Sequence, residues 1–350
     1  ENIGSENGGS ENNSKVSDSA TTLPVNKTEE TAKTEATEKD EPKSEEETIR
    51  MEMIERSLIS TGNTERIQKA ITKAKNGEEV TLAYLGGSIT QGVGATPDNK
   101  TCYAALSAKL FAEKFAKDEN KINYVNAGIA GTPSLLGITR CNSDIISTRP
   151  DVVFVEFAVN DGTDATSRDV YESLVGKLLN SETSPAVILI FTVLSNGYTA
   201  QDNMQATGEH YDLGMISVRE AITPEIDAGR MTFIGEYAVD EAHPSNFGHA
   251  LISDFIGYYL DRAEATESSP YTVPEDVQFT ASFENLENIT EGSEYIVSNG
   301  DFEYGLANCF TYNKGWKRSG GAENAPMVME LEFSKLTIAY KQVNSKTNGA

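Results

Sequence analysis

Five short runs of β-branched and other apolar residues punctuate the middle of the chain: VTLAYL (80–85), INYVN (122–126), DVVFVEFAV (151–159), AVILIFTVL (186–194) and MTFIG (231–235). Between them lie segments whose apolar residues recur with helical period, such as CYAALSAKLFAEKFAK (102–117) and RDVYESLVGKLL (168–179). Near-continuous apolar strands alternating with helices imply a five-stranded parallel sheet covered on both faces, an α/β architecture. Ahead of the first strand, TIRMEMIERSLI sets Ile49, Met53 and Ile54 on one helix face. TGNTERIQKAITKAKNGEE then reads as a capped second helix, starting near Asn63 or Thr64 and stopping at Gly77. A last helix, SNFGHALISDFIGYYLDRA, closes the unit near residue 263.

Past that helix the pattern changes. PYTVPEDVQFTASFENL, SEYIVSNGDFEYG and SKLTIAYKQV read as short strands with turn signals, so an accessory β-rich domain of β-sandwich type is expected over 266–350. Its last strand candidate runs into Asn348-Gly349, a hairpin signal with no returning strand, so the domain reads as incomplete and the protein is expected to continue past Ala350.

Composition adds a third part. Residues 1–47 are mostly Glu, Thr, Ser, Asn and Lys, and no aromatic residue occurs before Tyr84. Residues 1–48 alone carry −8 of the net −25 charge. So polar a stretch buries too little to offset its chain entropy and reads as a disordered acidic tether, leaving 48–265 as the main domain. The acidic balance argues against nucleic acid as a partner, since that contact needs basic patches. No apolar run is long enough for a membrane span. An opening Glu1 and a tether of this kind favour a secreted or cell-surface protein of bacterial type. Cys102, Cys141 and Cys309 are too few, and odd in number, for a disulfide framework.

Ligands of open parallel sheets gather at the carboxyl ends of the strands, and four such ends carry unusual residues. The first run ends in Gly86-Gly87-Ser88, the second in NAGIAGTPS (126–134), the third in VNDG (159–162), and the fifth leads to DEAHP (240–244). Asp240 and His243 are spaced so that the carboxylate accepts from one imidazole nitrogen while the other faces a hydroxyl, the base-plus-orienter half of a serine triad. Ser88 fits a nucleophile on a sharp turn, or a helix N-cap. The Ser88 amide, a glycine amide of NAGIAGTPS and the Asn160 side chain are candidate donors to an oxyanion. His249 falls inside the closing helix and reads as packed, whereas His210, in the polar stretch ATGEHYD, is a candidate substrate contact.

In this order the four blocks resemble the SGNH, or GDSL-type, serine esterase superfamily, over about residues 80–262. The resemblance implies a flavodoxin-like three-layer fold, with Ser88 as nucleophile, Gly131 and Asn160 as oxyanion donors beside the Ser88 amide, and Asp240 orienting the general base His243. Gly131 is preferred to Gly128 because the family's second block places its donor before a Ser/Thr-containing turn, here Thr132-Pro133-Ser134. Where the GDSL signature has Asp before the serine, this chain has Gly87, a variant of a branch rich in carbohydrate esterases.

The implied reaction is acyl transfer to water through an acyl-enzyme on Ser88, with neither metal nor organic cofactor. An O-acetyl ester on xylan or mannan is the first choice of substrate, so the expected partner is an acetylated oligo- or polysaccharide. A lysophospholipase or short-chain lipid esterase, a non-catalytic carbohydrate-binding protein and a metal-dependent deacetylase using Asp240 and His243 remain open alternatives. Tyr304, Tyr312 and Trp316 of the accessory domain fit either sugar stacking or a core of their own.

Overall fold

A computed structural model describes residues 44–309, 312–319 and 325–338. The first helix, α1 (Glu45–Arg56), starts inside the expected tether because Ser44 and Glu47 form a reciprocal capping box. It ends before Leu58–Ser60, which forms an edge strand β1 rather than continuing the helix. Helix α2 (Glu65–Asn76) stops where expected, at Gly77, whose φ of 79° suits glycine. Next come β2 (Val80–Gly86), the short helices α3 (Ser88–Gln91) and α4 (Asp98–Thr101), α5 (Tyr103–Phe115), β3 (Ile122–Gly128) and α6 (Ser134–Asp144). They are followed by β4 (Val152–Glu156), α7 (Ala165–Leu179), β5 (Ala186–Phe191), α8 (Gln201–His210), β6 (Gly214–Ser217), α9 (Val218–Asp227) and α10 (Asn246–Ala265).

The sheet order is β1-β6-β5-β4-β2-β3, parallel throughout except for the antiparallel β1. This is the flavodoxin-like three-layer arrangement, with one added edge strand. Alternate strand residues feed two cores. Val80, Leu82 and Tyr84 of β2 pack with Phe111, Phe255 and Leu260, while Ala83 and Leu85 pack with Leu174, Leu178 and Ile138 on the other face.

The fifth parallel strand is not MTFIG, as expected, but Gly214–Ser217. Ile234 is 53 % exposed and joined to Ala238 by a single bridge, whereas all four residues of β6 are buried. The expected polar loop before it is helix α8, in which Gly208 lets the helix lie close on β6, where a Cβ would meet the Met215 side chain.

After α10 the chain does not pass straight into a β-rich module. PYTVPEDVQFTASFENL forms no strand, and three of its consecutive amides go to one side chain instead of a neighbouring strand. The buried Glu172 of α7 accepts the amides of Gln278, Phe279 and Thr280 at 2.6, 2.7 and 2.6 Å. Ser173 accepts the Phe283 amide at 3.3 Å, and Phe283 enters the core formed by α6 and α7. The segment 271–286 is thus physically part of the α/β unit.

Beyond it, β7 (Ile296–Ser298) pairs with β10 (Val328–Met329), and β8 (Phe302–Cys309) pairs with β9 (Tyr312–Arg318). Tyr304 and Trp316 face each other across the second pair, ring centroids 5.1 Å apart. The described part of SKLTIAYKQV is not a strand. The rest of it and Asn348-Gly349 lie outside the described residues, as do residues 1–43 of the tether. Among the described residues, no helix is long and apolar enough to cross a membrane.

Replacing Glu172 with Ala removes the acceptor of three amides. We expect unfolding in urea to show a loss of about 3 kcal/mol, within the range for stranding buried donors. Limited proteolysis should then cut within 271–286; unchanged stability together with an intact segment would show that Glu172 does not hold it.

Candidate active site

Strand β2 leads to β3 on one side, while β4 lies on its other side, so the crevice of the sheet opens between β2 and β4. In register Gly86 pairs with Glu156, which makes these two strands end level. Ser88 follows one end and Asn160 the other.

Close approach, more than unusual backbone angles, explains the glycine pair before Ser88. Neither Gly86 nor Gly87 has a positive φ. A Cβ on Gly86 would strike the Thr90 hydroxyl and the Glu156 carbonyl, and one on Gly87 would strike the Asn160 amide group. Gly87 occupies the cap position of α3, so Ser88 lies within the first turn and makes no capping bond. Its Oγ lies 3.0 Å from Nε2 of His243, with only 7 % of the residue exposed.

His243 donates from Nδ1 to Asp240, 2.8 Å from Oδ2 and 3.0 Å from Oδ1, which leaves Nε2 as the acceptor for the Ser88 hydroxyl. Asp240 Oδ1 also accepts the Ala242 and His243 amides at 2.8 Å each. Partial burial works to raise its pKa, but the hydrogen bonds from the His243 ring and these amides outweigh it and hold the carboxyl at about 2.

Two contacts fix this loop to the segment after Ser88. Asn246 accepts the Thr96 amide at 2.8 Å and donates to the Thr96 carbonyl at 3.1 Å. Gly94 packs against the Pro244 carbonyl, where a Cβ would intrude.

The third strand end supplies Gly131, at φ 70° in an exposed turn. Among the described residues its amide has no hydrogen-bond partner. The turn is braced by Ile129 donating to Gly86 at 3.1 Å and Ala130 donating to Gln91 Oε1 at 2.7 Å. Asn160 closes a tight turn with its backbone, donating to Phe157 at 2.9 Å, while Oδ1 of its side chain is buried and unpartnered. A hydroxyl held against an imidazole that a carboxylate orients is equipped for nucleophilic acyl transfer, with the Gly131 amide and the Asn160 side chain on the loops after β3 and β4.

A search by sequence among curated proteins returned no match. Residues 84–251 match the model of the GDSL-like lipase/acylhydrolase family. A crystal structure of a two-domain esterase (CEX) active on acetylated mannans is 33 % identical at TM-score 0.68, over 75 % of this chain and 71 % of that one. The same esterase co-crystallized with mannopentaose gives 34 % identity and TM-score 0.64, over 73 % and 67 %. The chain belongs to the GDSL-like lipase/acylhydrolase family. Its fold and site make it a carboxylic ester hydrolase of the SGNH type.

Not every residue singled out from the sequence reaches this esterase site. His210 ends α8 and precedes β6, whose first residue, Gly214, pairs with Ile188 while Ser217 pairs with Phe191 at the carboxyl end. That places His210 at the opposite edge of the sheet, where Nε2 meets the Asp276 carbonyl at 2.9 Å. His249 is buried as expected. Its Nδ1 accepts the Tyr103 amide at 3.2 Å, Nε2 meets the Val93 carbonyl at 3.3 Å, and burial first of all lowers its pKa to about 4.

Two supporting residues of the esterase escaped the sequence reading. Glu156 is fully buried beneath the Ser88 turn and accepts the hydroxyls of Thr192 at 2.7 Å and Thr90 at 3.0 Å. Burial pushes its pKa up, opposed by those hydroxyls and by the Gly87 and Thr90 amides. Its signal was a lone carboxylate inside the apolar run VVFVEFAV. Arg140, also buried, donates to the Ala127 carbonyl at 2.6 Å and the Gly86 carbonyl at 3.2 Å, tying the ends of β3 and β2 together. Helical spacing alone gave it no signal.

Two measurements probe this geometry. Gly87→Ala puts a methyl group where the Asn160 amide sits, and kcat on an aryl acetate should fall about a hundredfold, as when one oxyanion donor is lost; an unchanged kcat would mean that Asn160 tolerates displacement. The lowered pKa of Asp240 adds stability that is present above the unfolded carboxylate value of about 3.9. That stability is lost as pH falls through about 2. In a pH titration of unfolding, Asp240→Asn should therefore abolish an increment near pH 3; an increment that persists in the variant would assign it to another carboxylate.

Proposed function

We propose that this esterase removes acetyl groups from acetylated polysaccharides, first of all mannan and then xylan, through an acyl-enzyme on Ser88. The observation that carries the substrate choice is the likeness, above 30 % identity over about three quarters of the chain, to an esterase active on acetylated mannans. The bond-making roles rest on the 3.0 Å approach of Ser88 to His243 and on the Asp240 contact behind it.

His243 takes the Ser88 proton as Oγ attacks the acetyl carbonyl. The alkoxide is stabilised by the Ser88 and Gly131 amides and the Asn160 side chain. His243 then protonates the departing sugar oxygen, which leaves as a hydroxyl, activates a water against the acetyl-Ser88 ester, and returns the proton to Ser88 as acetate leaves. Asp240 keeps the imidazole in the tautomer that this sequence needs. A polymeric substrate of this kind fits a protein working outside the cell on an acidic tether.

Hydrolysis of an aryl acetate tests the chemistry: Ser88→Ala should lower turnover by at least about three orders of magnitude, and a chelator should leave the wild type unaffected. Full activity in the variant would remove Ser88 from the reaction, and loss of activity in chelator would favour a metal-dependent deacetylase. For the substrate, acetate release from acetylated mannan and xylan is measured beside hydrolysis of long-chain esters. Preference for the long chains would replace the carbohydrate reading with a lipid one.

A further inference from the structure

Two of the three oxyanion donors lie on separate loops, Gly131 after β3 and Asn160 after β4, so their spacing has to be held by something other than a shared backbone. The residue next to Asn160 is placed to hold it. Asp161 is only 2 % exposed, and its Oδ1 accepts the amide of Ser134 at 2.7 Å. Ser134 is the first residue of α6, directly after the Gly131-Thr132-Pro133 turn. The Asp161 backbone carbonyl accepts the Tyr198 hydroxyl at 2.6 Å, which brings in the loop after β5. Three strand-end loops therefore meet on one buried side chain and its peptide group.

We propose that Asp161 is a positioning residue of the esterase: its carboxylate sets the Gly131 turn at a fixed distance from Asn160, so that both donors reach the same oxyanion. The proposal rests on the Ser88 reaction described above. A carboxylate here is expensive. Burial drives its pKa to about 6 against its contacts with Ser134, and the carboxylates of Glu156 and Asp164 act in the same direction as burial. The nearby Tyr171 hydroxyl is buried without a partner and adds nothing to offset this cost. Capping α6 does not require that cost, since a serine or asparagine side chain does the same for a helix end. The arrangement makes sense as a brace that must be short and stiff.

The test uses kcat and KM on an aryl acetate, with folding checked by circular dichroism. Asp161→Ala should lower kcat by about a hundredfold, the cost of misplacing a reacting group by about 1 Å, with KM within about twofold. Asp161→Asn keeps an acceptor for the Ser134 amide and should recover most of the rate. Ser134→Pro removes the donor from the other side, at a helix position that accepts proline, and should match Asp161→Ala. If the two act through one hydrogen bond, the double variant is no slower than the slower single.

A folded Asp161→Ala with wild-type kcat, or losses that multiply in the double variant, would overturn the brace. If Asp161→Ala does not fold, Ser134→Pro decides alone: a full rate overturns the proposal and a hundredfold loss with unchanged KM supports it. Wild-type hydrolysis abolished by Ser88→Ala, together with an unaffected Asp161→Ala, defeats the brace and leaves the Ser88 reaction standing. Activity retained by Ser88→Ala defeats both.

Discussion

The level ending of two neighbouring strands is the constraint on which the site depends. Because Gly86 and Glu156 are paired in register, the chain leaves β2 and β4 at the same height, and the serine turn and the asparagine turn are forced into contact. Glycine at 87 lets them touch without a collision. Beneath them the Glu156 side chain binds groups from the serine turn and from the loop after β5, so one buried carboxyl group joins three strand ends. Arg140 does the corresponding work at the β2 and β3 ends through their carbonyls. Acidic and basic side chains in a core are costly, and here each is surrounded by hydrogen-bonding groups.

The site is assembled outward from this frame. The His243 loop is not part of the sheet and is held toward Ser88 from outside it: Asn246 ties it to Thr96, Gly94 leaves it room, and the Ser195 amide donates to the Glu241 carbonyl. Gly87 in turn leaves the Asn160 side chain the space a Cβ would take.

Much of this was legible in the sequence, for physical reasons that also explain the failures. Strands β2, β4 and β5 are buried throughout, and β3 is bounded by charge and glycine, so their apolar runs stand out, whereas the three-residue edge strand β1 reads as the end of a helix. Ser88 and the turns of Gly131 and Asn160 follow strand ends that periodicity locates, whereas Asp240 and His243 follow MTFIG, which is no strand, and only their three-residue spacing marks them. Strand β6 was missed because it is four residues long, and MTFIG, equally apolar, turned out to be a surface segment. His210 was misplaced for a related reason: a glycine inside α8 made a helix look like a loop. The segment 271–286 has strand-like composition, yet its amides are satisfied by Glu172, a long-range contact that no local pattern encodes.

The histidine immediately precedes the last helix of the α/β unit. Ser245, two residues on, caps α10, and α10 joins the core through Leu251, Ile252 and Phe255, beside Tyr103 and Phe111 of α5. The serine turn and the loops of Gly131 and Asn160 all precede His243 in the chain, and the seat of His243 is tied to that of α10. A substitution that loosens α10 on α5 would therefore reach the contact between Ser88 and His243 without touching either residue.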